Sequence, residues 1–281
     1  MTSTKGGVDL YDAVIIGAGP AGLTAGTYLA RFRRRVLILS AGPSRANWIP
    51  RSHNTPGFPN GVGGPELLRR LIEQAAQFGV EIRDARADRL QLADGLFQLS
   101  GAGGMVHART ALLATGVVDR LPDIEGLEAA IRRSVVRMCP ICDAFEAIDA
   151  RIGVMGDGGL AEREAEFLKD YSDRVSVIGE KAGDVSFTQT AAHWAGQDGT
   201  EQTFDHLYLA LGCKAQSALA LACGAKTDDD GNLVVDDHQM TSVEGLYAAG
   251  DVVRGLNQIA VATGEAAIAA TAMHNRLRDD G

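Results

Sequence analysis

Short hydrophobic runs alternate with glycine-rich turns and amphipathic segments along most of the chain. Residues 11–17 (YDAVIIG) form a continuous apolar run typical of a buried strand, a helix of small residues follows to about Arg34, and residues 35–39 predict a second strand. This unit has the size of a βαβ element, roughly 30 residues. A similar unit begins near Arg151 with RIGVMG and ends in RVSVIG. The pattern therefore predicts an α/β fold with two Rossmann-like (three-layer ββα) domains.

The remaining segments suggest how the two domains share the chain. A helix is predicted from Pro65 to about Phe78, a linker over 118–133, and a closing helix from about Asn257 after the strand GLYAAGD; further strands are predicted at 80–83, 96–99, 105–115, 205–211 and 232–235. We expect one domain to be split by the other, with residues 1–120 and 209–281 flanking a smaller inserted domain at 121–208.

Composition and charge narrow the function classes. The chain is 46% hydrophobic and 22% charged, as expected of a protein with a sizeable core, and 34 of its 281 residues are glycine, well above the average of about 7%. A formal charge of −9, a pI near 5.2 and only 5% aromatic residues argue against nucleic acid and anionic membranes as partners. With no apolar run long enough to span a bilayer and no secretory signal, we expect a cytoplasmic protein.

The first glycine-rich turn lies between a predicted strand and a predicted helix. There Gly17 allows a tight turn, Gly19 lets the backbone approach a pyrophosphate and Gly22 lets the helix pack on the strand, with Pro20 and Ala21 between them. Such turns also occur for packing alone, but the flanking elements favour dinucleotide binding. The second strand ends in Ser40, where an acidic residue usually binds ribose.

Two other strand ends belong to the same prediction. Thr115 and Gly116 close one strand, and Gly250 and Asp251 close another in the segment TSVEGLYAAGD. Ligands of open α/β sheets bind at the carboxyl ends of the strands. Asp251 before a helix is also compatible with a simple helix cap. Together with the first turn, these segments favour a bound dinucleotide.

The motif Cys139-Pro140-Ile141-Cys142-Asp143 indicates redox chemistry. Two cysteines at this spacing can form a small disulfide ring, and the adjacent Asp143 can move protons during thiol–disulfide exchange. The alternative is half of a zinc site. Cys213 and Cys223 provide no second C-x-x-C and no histidine-rich segment accompanies them, so we expect no metal site.

The order of motifs resembles the low-molecular-weight thioredoxin reductases over nearly the whole chain. It runs GAGPAG, PGFP, ATG, C-x-x-C-D, a second glycine-rich turn, AAGD and a closing helix. The resemblance implies FAD in the split domain, Cys142 next to the flavin, Cys139 as the interchange thiol and Asp143 as the proton donor. It also implies a homodimer, a thioredoxin-like or small dithiol/disulfide partner, and flavin contacts from Asn54, Gln258 and Ile259.

The second turn departs from the family pattern. It contains Gly156, Asp157, Gly158 and, in place of a third glycine, Ala161. Asp157 places a carboxylate where phosphates should bind, and after the next strand Glu180 stands in GEK where NADPH-using relatives carry arginines for the 2′-phosphate. Glu180 in that position can instead hold the ribose hydroxyls of NADH.

The inserted domain is also short. The segment between Gly179 and Asp205 does not accommodate both another crossover of roughly 30 residues and a β-meander. One unit must be missing or rudimentary, which argues against productive NAD(P)H binding; a deleted surface excursion that leaves the site intact is the alternative.

The sequence thus predicts an FAD-dependent disulfide oxidoreductase in which electrons pass between the flavin, the Cys139/Cys142 pair and an external dithiol or disulfide. Ferredoxin as the electron donor and oxygen-dependent dithiol oxidation are variants of this function. A flavin-binding redox sensor without turnover is the alternative from another class.

Overall fold

A computed structural model describes residues 10–101 and 104–279 of the chain. The fold consists of two compact units. The first unit contains the described residues up to Ala46, the segment Pro65–Val118 and the chain from Ala215 onward, and the second contains Asn47–Gly64 and Asp119–Lys214. The chain therefore passes between the units more than once.

Sixteen strands are assigned within these described ranges. They are β1 (Leu10–Ile16), β2 (Val36–Ser40), β3 (Glu81–Asp84), β4 (Ala87–Ala93), β5 (Leu96–Gly101), β6 (Gly104–Leu113), β7 (Val117–Asp119), β8 (Val136–Arg137), β9 (Ile152–Met155), β10 (Val175–Ile178), β11 (Gly183–Phe187), β12 (Ala192–Gly196), β13 (Glu201–Phe204), β14 (His206–Leu209), β15 (Cys213–Ala215) and β16 (Leu246–Ala248).

The same ranges contain seven α-helices. They are α1 (Pro20–Arg31), α2 (Gly64–Gln77), α3 (Leu127–Arg132), α4 (Pro140–Asp143), α5 (Gly159–Leu168), α6 (Ala218–Ala222) and α7 (Ile259–Asp279). Within the described part of the chain, no helix combines the length and the apolar character needed to cross a membrane.

The first unit is built on a seven-stranded sheet with the order β3-β2-β1-β6-β5-β4, and β16 pairs with β6. Strands β3, β2, β1, β6 and β16 are parallel, while β5 and β4 continue the sheet in antiparallel pairing. The central strand β1 is apolar on both faces, as expected for a strand covered on both sides. Helix α1 packs against α7.

The second unit contains a four-stranded parallel sheet with the order β10-β9-β14-β8, and β11, β12 and β13 form a separate antiparallel sheet. The crossover that the length deficit called into question is absent, because β10 ends at Ile178 and β11 begins at Gly183. The antiparallel three-stranded unit is retained.

Two local predictions are wrong. The segment 118–133 is not only a linker, because Leu127, Ala130 and Ile131 form the buried face of α3. Residues 232–235 do not form a strand: Leu233 and Val235 make single bridges to Thr227 and Thr241. The apolar character of that segment instead reflects the burial of Leu233 in the core.

Candidate functional sites

The first glycine-rich turn has the backbone geometry of a phosphate cradle. Gly17 has a φ of +113°, and a Cβ there would collide with the carbonyl oxygen of Ala114. A Cβ on Gly22 would collide with the carbonyl oxygen of Gly17, and one on Gly19 would lie 3.2 Å from Ser44 Oγ. No side-chain hydrogen bond caps the start of α1 at Gly19, so the first N–H groups of the helix are not used by a capping side chain.

Parallel pairing brings three predicted segments to one edge of the sheet. Ile16 of β1 and Ala248 of β16 are both paired with Leu113 of β6, so the three strands end at the same level. The residues directly after these strands are Gly17, Ala114-Thr115-Gly116 and Ala249-Gly250-Asp251. Thr115 donates a hydrogen bond to the carbonyl of Gln216 at 2.7 Å, and Gly116 has a φ of +63° with open space beside its Cα.

A buried glutamate holds the Gly250-Asp251 turn. Glu265 of α7 is 5% exposed, and its Oε2 accepts a hydrogen bond from the Gly250 N–H at 2.9 Å while Oε1 accepts one from Arg254. Asp251 pairs with Arg45 at 3.5 Å. Glu265 was not predicted from the sequence, although an acidic residue among the alanines of α7 is a signal that could have found it.

The other residues predicted to contact the flavin are Ser40, Asn54, Gln258 and Ile259. Ser40 ends β2, and Gln258 directly precedes α7, which begins at Ile259; the carbonyl of Gln258 accepts the Ala262 N–H at 2.9 Å. Asn54 lies in the segment Asn47–Gly64 of the second unit, and its Oδ1 accepts a hydrogen bond from Ser52 at 3.0 Å. All the predicted flavin residues except Asn54 therefore belong to the first unit.

These features fit a dinucleotide such as FAD. Backbone atoms lie so close to the turn that a Cβ on Gly17 or on Gly22 would collide with them. The 12-residue helix α1 begins at this turn, and Asp251 lies just after a neighbouring parallel strand. Bare N–H groups at the start of a helix bind phosphate oxygens, and carboxylates at this edge bind hydroxyls. The residues that would hold FAD are therefore those of the first unit's fingerprint.

The two motif cysteines form a disulfide. Cys139 and Cys142 are bonded, with their Cα atoms 5.3 Å apart, and Cys139 precedes the short helix α4, which begins at Pro140. The side chains of Ile141 and Phe145 are 55% and 72% exposed on either side of Cys142. Two exposed apolar residues therefore lie in the motif and just after it.

Asp143 contacts two polar side chains from neighbouring strands. Its Oδ2 lies 3.0 Å from Arg137 Nη1, and its Oδ1 accepts a hydrogen bond from the Tyr208 hydroxyl at 3.0 Å. Burial raises the pKa of Asp143, whereas Arg137 and Tyr208 oppose that rise. Burial and the charge of Asp143 raise the pKa of Tyr208, so its hydroxyl stays protonated.

The second glycine-rich turn has a similar backbone but a different charge. Gly158 has a φ of +76° and precedes α5, and a Cβ on Gly156 would lie 2.5 Å from the carbonyl oxygen of Ala210. Asp157 Oδ1 lies 3.1 Å from the position that a Cβ on Gly179 would occupy. The carboxylate of Asp157 thus reaches from the turn to the end of β10, where the ribose end of a nucleotide would bind.

Glu180 forms an ion pair at this same edge. It accepts a hydrogen bond from Arg120, and its side chain is 18% exposed. Ala161, the third position of the fingerprint, is fully buried. With two carboxylates at the edge and the second crossover absent, the residues present do not fit the 2′-phosphate of NADPH.

The remaining two cysteines lie outside the disulfide. Cys213 is exposed on β15, and the Cys223 thiol donates to the Leu90 carbonyl at 3.0 Å, with its pKa raised by burial. Over residues 10–101 and 104–279, no three His, Cys, Asp or Glu side chains are grouped to hold a metal ion.

Comparison with known proteins gives a consistent result. A family model described as pyridine nucleotide-disulphide oxidoreductase matches residues 11–194 and 180–266. The chain is 30% identical to the thioredoxin reductase of Peptoclostridium litorale, covering 93% of this chain and 95% of that protein. It is 29% identical to the thioredoxin reductase of Listeria monocytogenes, with 92% of each covered.

A solved structure matches as well. The thioredoxin reductase of Streptococcus pyogenes MGAS5005 has a TM-score of 0.89 and 25% identity, covering 97% of this chain and 100% of that one. The predicted resemblance and the predicted fold class are therefore confirmed.

Proposed function

Because the chain belongs to the pyridine nucleotide-disulphide oxidoreductase family, we propose that it is an FAD-dependent enzyme of the thioredoxin reductase type. Electrons pass between the flavin, the Cys139/Cys142 pair and an external dithiol or disulfide. The observation that carries this proposal is the disulfide directly followed by Asp143, whose carboxyl group contacts Arg137 and Tyr208, in a chain whose first unit fits FAD.

Each part of the chain has a distinct task in this function. When bound, FAD accepts or gives the electron pair. The fingerprint of Gly17, Gly19 and Gly22 binds its phosphates, and Asp251 binds a hydroxyl group. The family resemblance assigns Cys139 the attack on the external partner, Cys142 the exchange of electrons with the flavin, and Asp143 the proton transfer.

The exposed apolar residues support a protein or small-molecule disulfide as partner. Ile141 lies between the two cysteines, and Phe145 follows two residues after Asp143. Exposed apolar side chains around a reactive group are typical of docking surfaces. We propose that a thioredoxin-like protein or a small dithiol docks here.

We propose further that NADPH is not the electron donor. Asp157 and Glu180 place two carboxylates at the edge where the nucleotide would bind, and the chain lacks the second crossover. A 2′-phosphate would be repelled at this edge. Ferredoxin as the donor, oxygen as an acceptor, a homodimer and a cytoplasmic location stay predictions.

Anaerobic reduction by dithiothreitol tests the proposed function. The dithiol gives two electrons and becomes a cyclic disulfide, so the visible flavin absorption of the holoprotein should bleach. Bleaching should be lost in Cys139→Ser and Cys142→Ser and kept in Cys213→Ser, which removes a cysteine outside the pair. Equal bleaching in all four proteins, or none in the wild type, would contradict the proposal.

A further inference from the structure

Two residues on neighbouring strands contact Asp143 through their side chains, and the proposed function gives neither of them a role. Arg137 of β8 and Tyr208 of β14 are paired in register in the parallel sheet. Arg137 is 8% exposed and Tyr208 is fully buried. Because the two residues are neighbours across the strands, they reach Asp143 together, one through Oδ2 and the other through Oδ1.

The same two side chains also hold the backbone of Asp143. Arg137 Nη1 donates to the Asp143 carbonyl at 3.1 Å, and the Tyr208 hydroxyl lies 3.3 Å from that oxygen. Asp143 directly follows Cys142. Fixing both its carboxylate and its carbonyl therefore fixes where the carboxylate stands relative to the disulfide.

Because Arg137 is charged, its ion pair with Asp143 depends on whether Asp143 is protonated. A buried guanidinium needs an anion beside it, and the loss of that anion is costly. The carboxylate of Asp143 is the anion that the structure places there. Burial raises the pKa of Asp143, and Arg137 and Tyr208 limit the rise, so both residues influence the pH at which Asp143 gives up its proton.

Other titratable and charged groups surround this network. Glu146, in the turn after α4, raises the pKa of Asp143 further through its charge. His206, two residues before Tyr208, pairs with the Ser134 carbonyl at 2.9 Å, and burial and Arg137 lower its pKa. Helix α5 packs against α4 and carries Arg163 and Glu164.

We propose that Arg137 and Tyr208 are positioning residues for thiol–disulfide exchange: they hold Asp143 beside the Cys139/Cys142 pair and set the pH at which it exchanges a proton with that pair. This inference rests on the proposed function, because it assumes that the pair is redox-active and that Asp143 moves the proton.

The step is balanced within the pair and its partner. A thiolate of an external dithiol bonds to Cys139, the bond between Cys139 and Cys142 breaks with its electron pair on Cys142, and Cys142 takes a proton from Asp143. The second thiolate of the dithiol then closes the external disulfide and releases Cys139. The external dithiol is oxidised and the cysteine pair is reduced.

The pH profile of disulfide opening tests this assignment. Holoprotein is mixed with dithiothreitol at a series of pH values, and the new thiols are alkylated and counted by mass. Dividing each rate by the rate for oxidised glutathione removes the ionisation of the reagent. The normalised rate should fall as pH rises through the pKa of Asp143, and Asp143→Asn should remove this fall.

Three variants separate positioning from bulk structure. Removing a donor to the carboxylate raises its pKa, so the midpoint of the fall should move up by about one to three pH units in Arg137→Gln and by a smaller amount in Tyr208→Phe. Arg137→Lys keeps the positive charge and should keep the midpoint near that of the wild type.

Two control variants test whether a shift of the midpoint is specific to Arg137 and Tyr208. Tyr171→Phe removes the hydroxyl of another partly buried tyrosine of the second unit, and Glu201→Gln removes an exposed carboxyl group of β13. Neither should move the midpoint. Circular dichroism establishes folding, and Tyr208→Phe decides alone if Arg137→Gln does not fold.

The possible results are distinct. An unchanged midpoint in folded Tyr208→Phe and Arg137→Gln overturns the inference while the cysteines still cycle, and so does an equal shift in Glu201→Gln. Failure of the wild-type disulfide to open overturns the proposed function itself.

Discussion

The chain contains two βαβ elements that can be compared directly, the one that begins with β1 and the one that begins with β9. In both, a glycine with positive φ, Gly17 or Gly158, lies in the turn before a helix whose start has no side-chain cap. In the first, the strand ends around the turn provide Thr115, Gly116 and Asp251.

The second element differs in its charge and in the segment after its second strand. Asp157 lies within the turn, Glu180 pairs with Arg120 at the end of β10, and only four residues separate β10 from β11, where a crossover would stand. A glycine-rich turn thus provides the backbone geometry for phosphate binding, whereas the residues at neighbouring strand ends decide whether a dinucleotide binds.

The strongest change should come from breaking the first turn. In Gly22→Ala the new Cβ collides with the Gly17 carbonyl oxygen, which should cost about 1 to 3 kcal/mol of unfolding free energy and leave the purified protein without FAD. The flavin absorption of the purified protein and its thermal melting measure both effects.

Gly264→Ala is the matched control. Gly264 is also helical, and a Cβ there meets nothing within 4 Å, so this variant should keep its flavin and gain stability by a few tenths of a kcal/mol, at most about 1. Full flavin in Gly22→Ala would show that the first turn is not the binding site.

A smaller effect on FAD binding is expected when Glu265, which holds the Gly250 turn, loses its charge. Glu265→Gln weakens the charge-assisted hydrogen bonds to Gly250 and Arg254, so FAD affinity, measured by fluorescence titration of the apoprotein, should fall about tenfold, equivalent to ~1.4 kcal/mol. Glu244→Gln, which removes an exposed partner of Arg276, should leave affinity unchanged. Equal losses in both variants would exclude a specific role for Glu265.

Removing the charge of the second turn should make nucleotide binding by the second element more similar to that by the first. Asp157→Asn removes a negative charge from the second turn, next to the start of α5, and should strengthen NADH binding about fivefold, close to 1 kcal/mol. Isothermal titration calorimetry measures the change, with Asp170→Asn as an exposed control beyond the end of α5. Weaker binding in Asp157→Asn would mean that Asp157 helps to hold the nucleotide.

The weakest change concerns a carboxyl group of α5. Burial raises the pKa of Glu164 to about 7, and no hydrogen-bond partner is found for its Oε2 in the described residues. A raised carboxyl pKa stabilises the fold below the ordinary value of 4.5, and this stability is lost as pH rises through about 7. Glu164→Gln should therefore stabilise the protein above neutral pH by about 1 kcal/mol, allowing for solvent screening, and have little effect near pH 4.

Thermal melting of Glu164→Gln across this pH range provides the measurement, with the exposed Glu162→Gln on the same helix as control. Helix α1 buries no acidic residue, so the first element has no counterpart of this effect. A stabilisation independent of pH would contradict the assigned cause.

The sequence was most informative where function depends on local pattern. Both glycine-rich turns, the cysteine pair and the strand ends at Thr115 and Asp251 could be found from short motifs, because a turn or a small ring needs particular residues at fixed spacing. The missing crossover was foreseen as a deficit in length, although the sequence did not tell which unit was lost.

The supporting residues depend on contacts between distant parts of the chain. Arg137 and Tyr208 meet only through the register of β8 with β14, and Glu265 reaches Gly250 only because α7 packs beside the turn. No local signal points to Arg137 and Tyr208, and the acidic residue among the alanines of α7 marks Glu265 without telling which group it contacts. Single apolar residues also misled the prediction, as at 232–235, where burial of Leu233 replaced a strand.

Anaerobic titration of the holoprotein with NADPH, with NADH and with dithiothreitol distinguishes a dithiol donor from a nicotinamide donor in one experiment. We expect the dithiol to bleach the flavin absorption through the Cys139/Cys142 pair, while NADPH leaves it unchanged over the same time. Complete bleaching by one equivalent of NADPH within seconds would contradict this expectation, because it would show that the second turn binds the nucleotide productively despite Asp157 and the missing crossover.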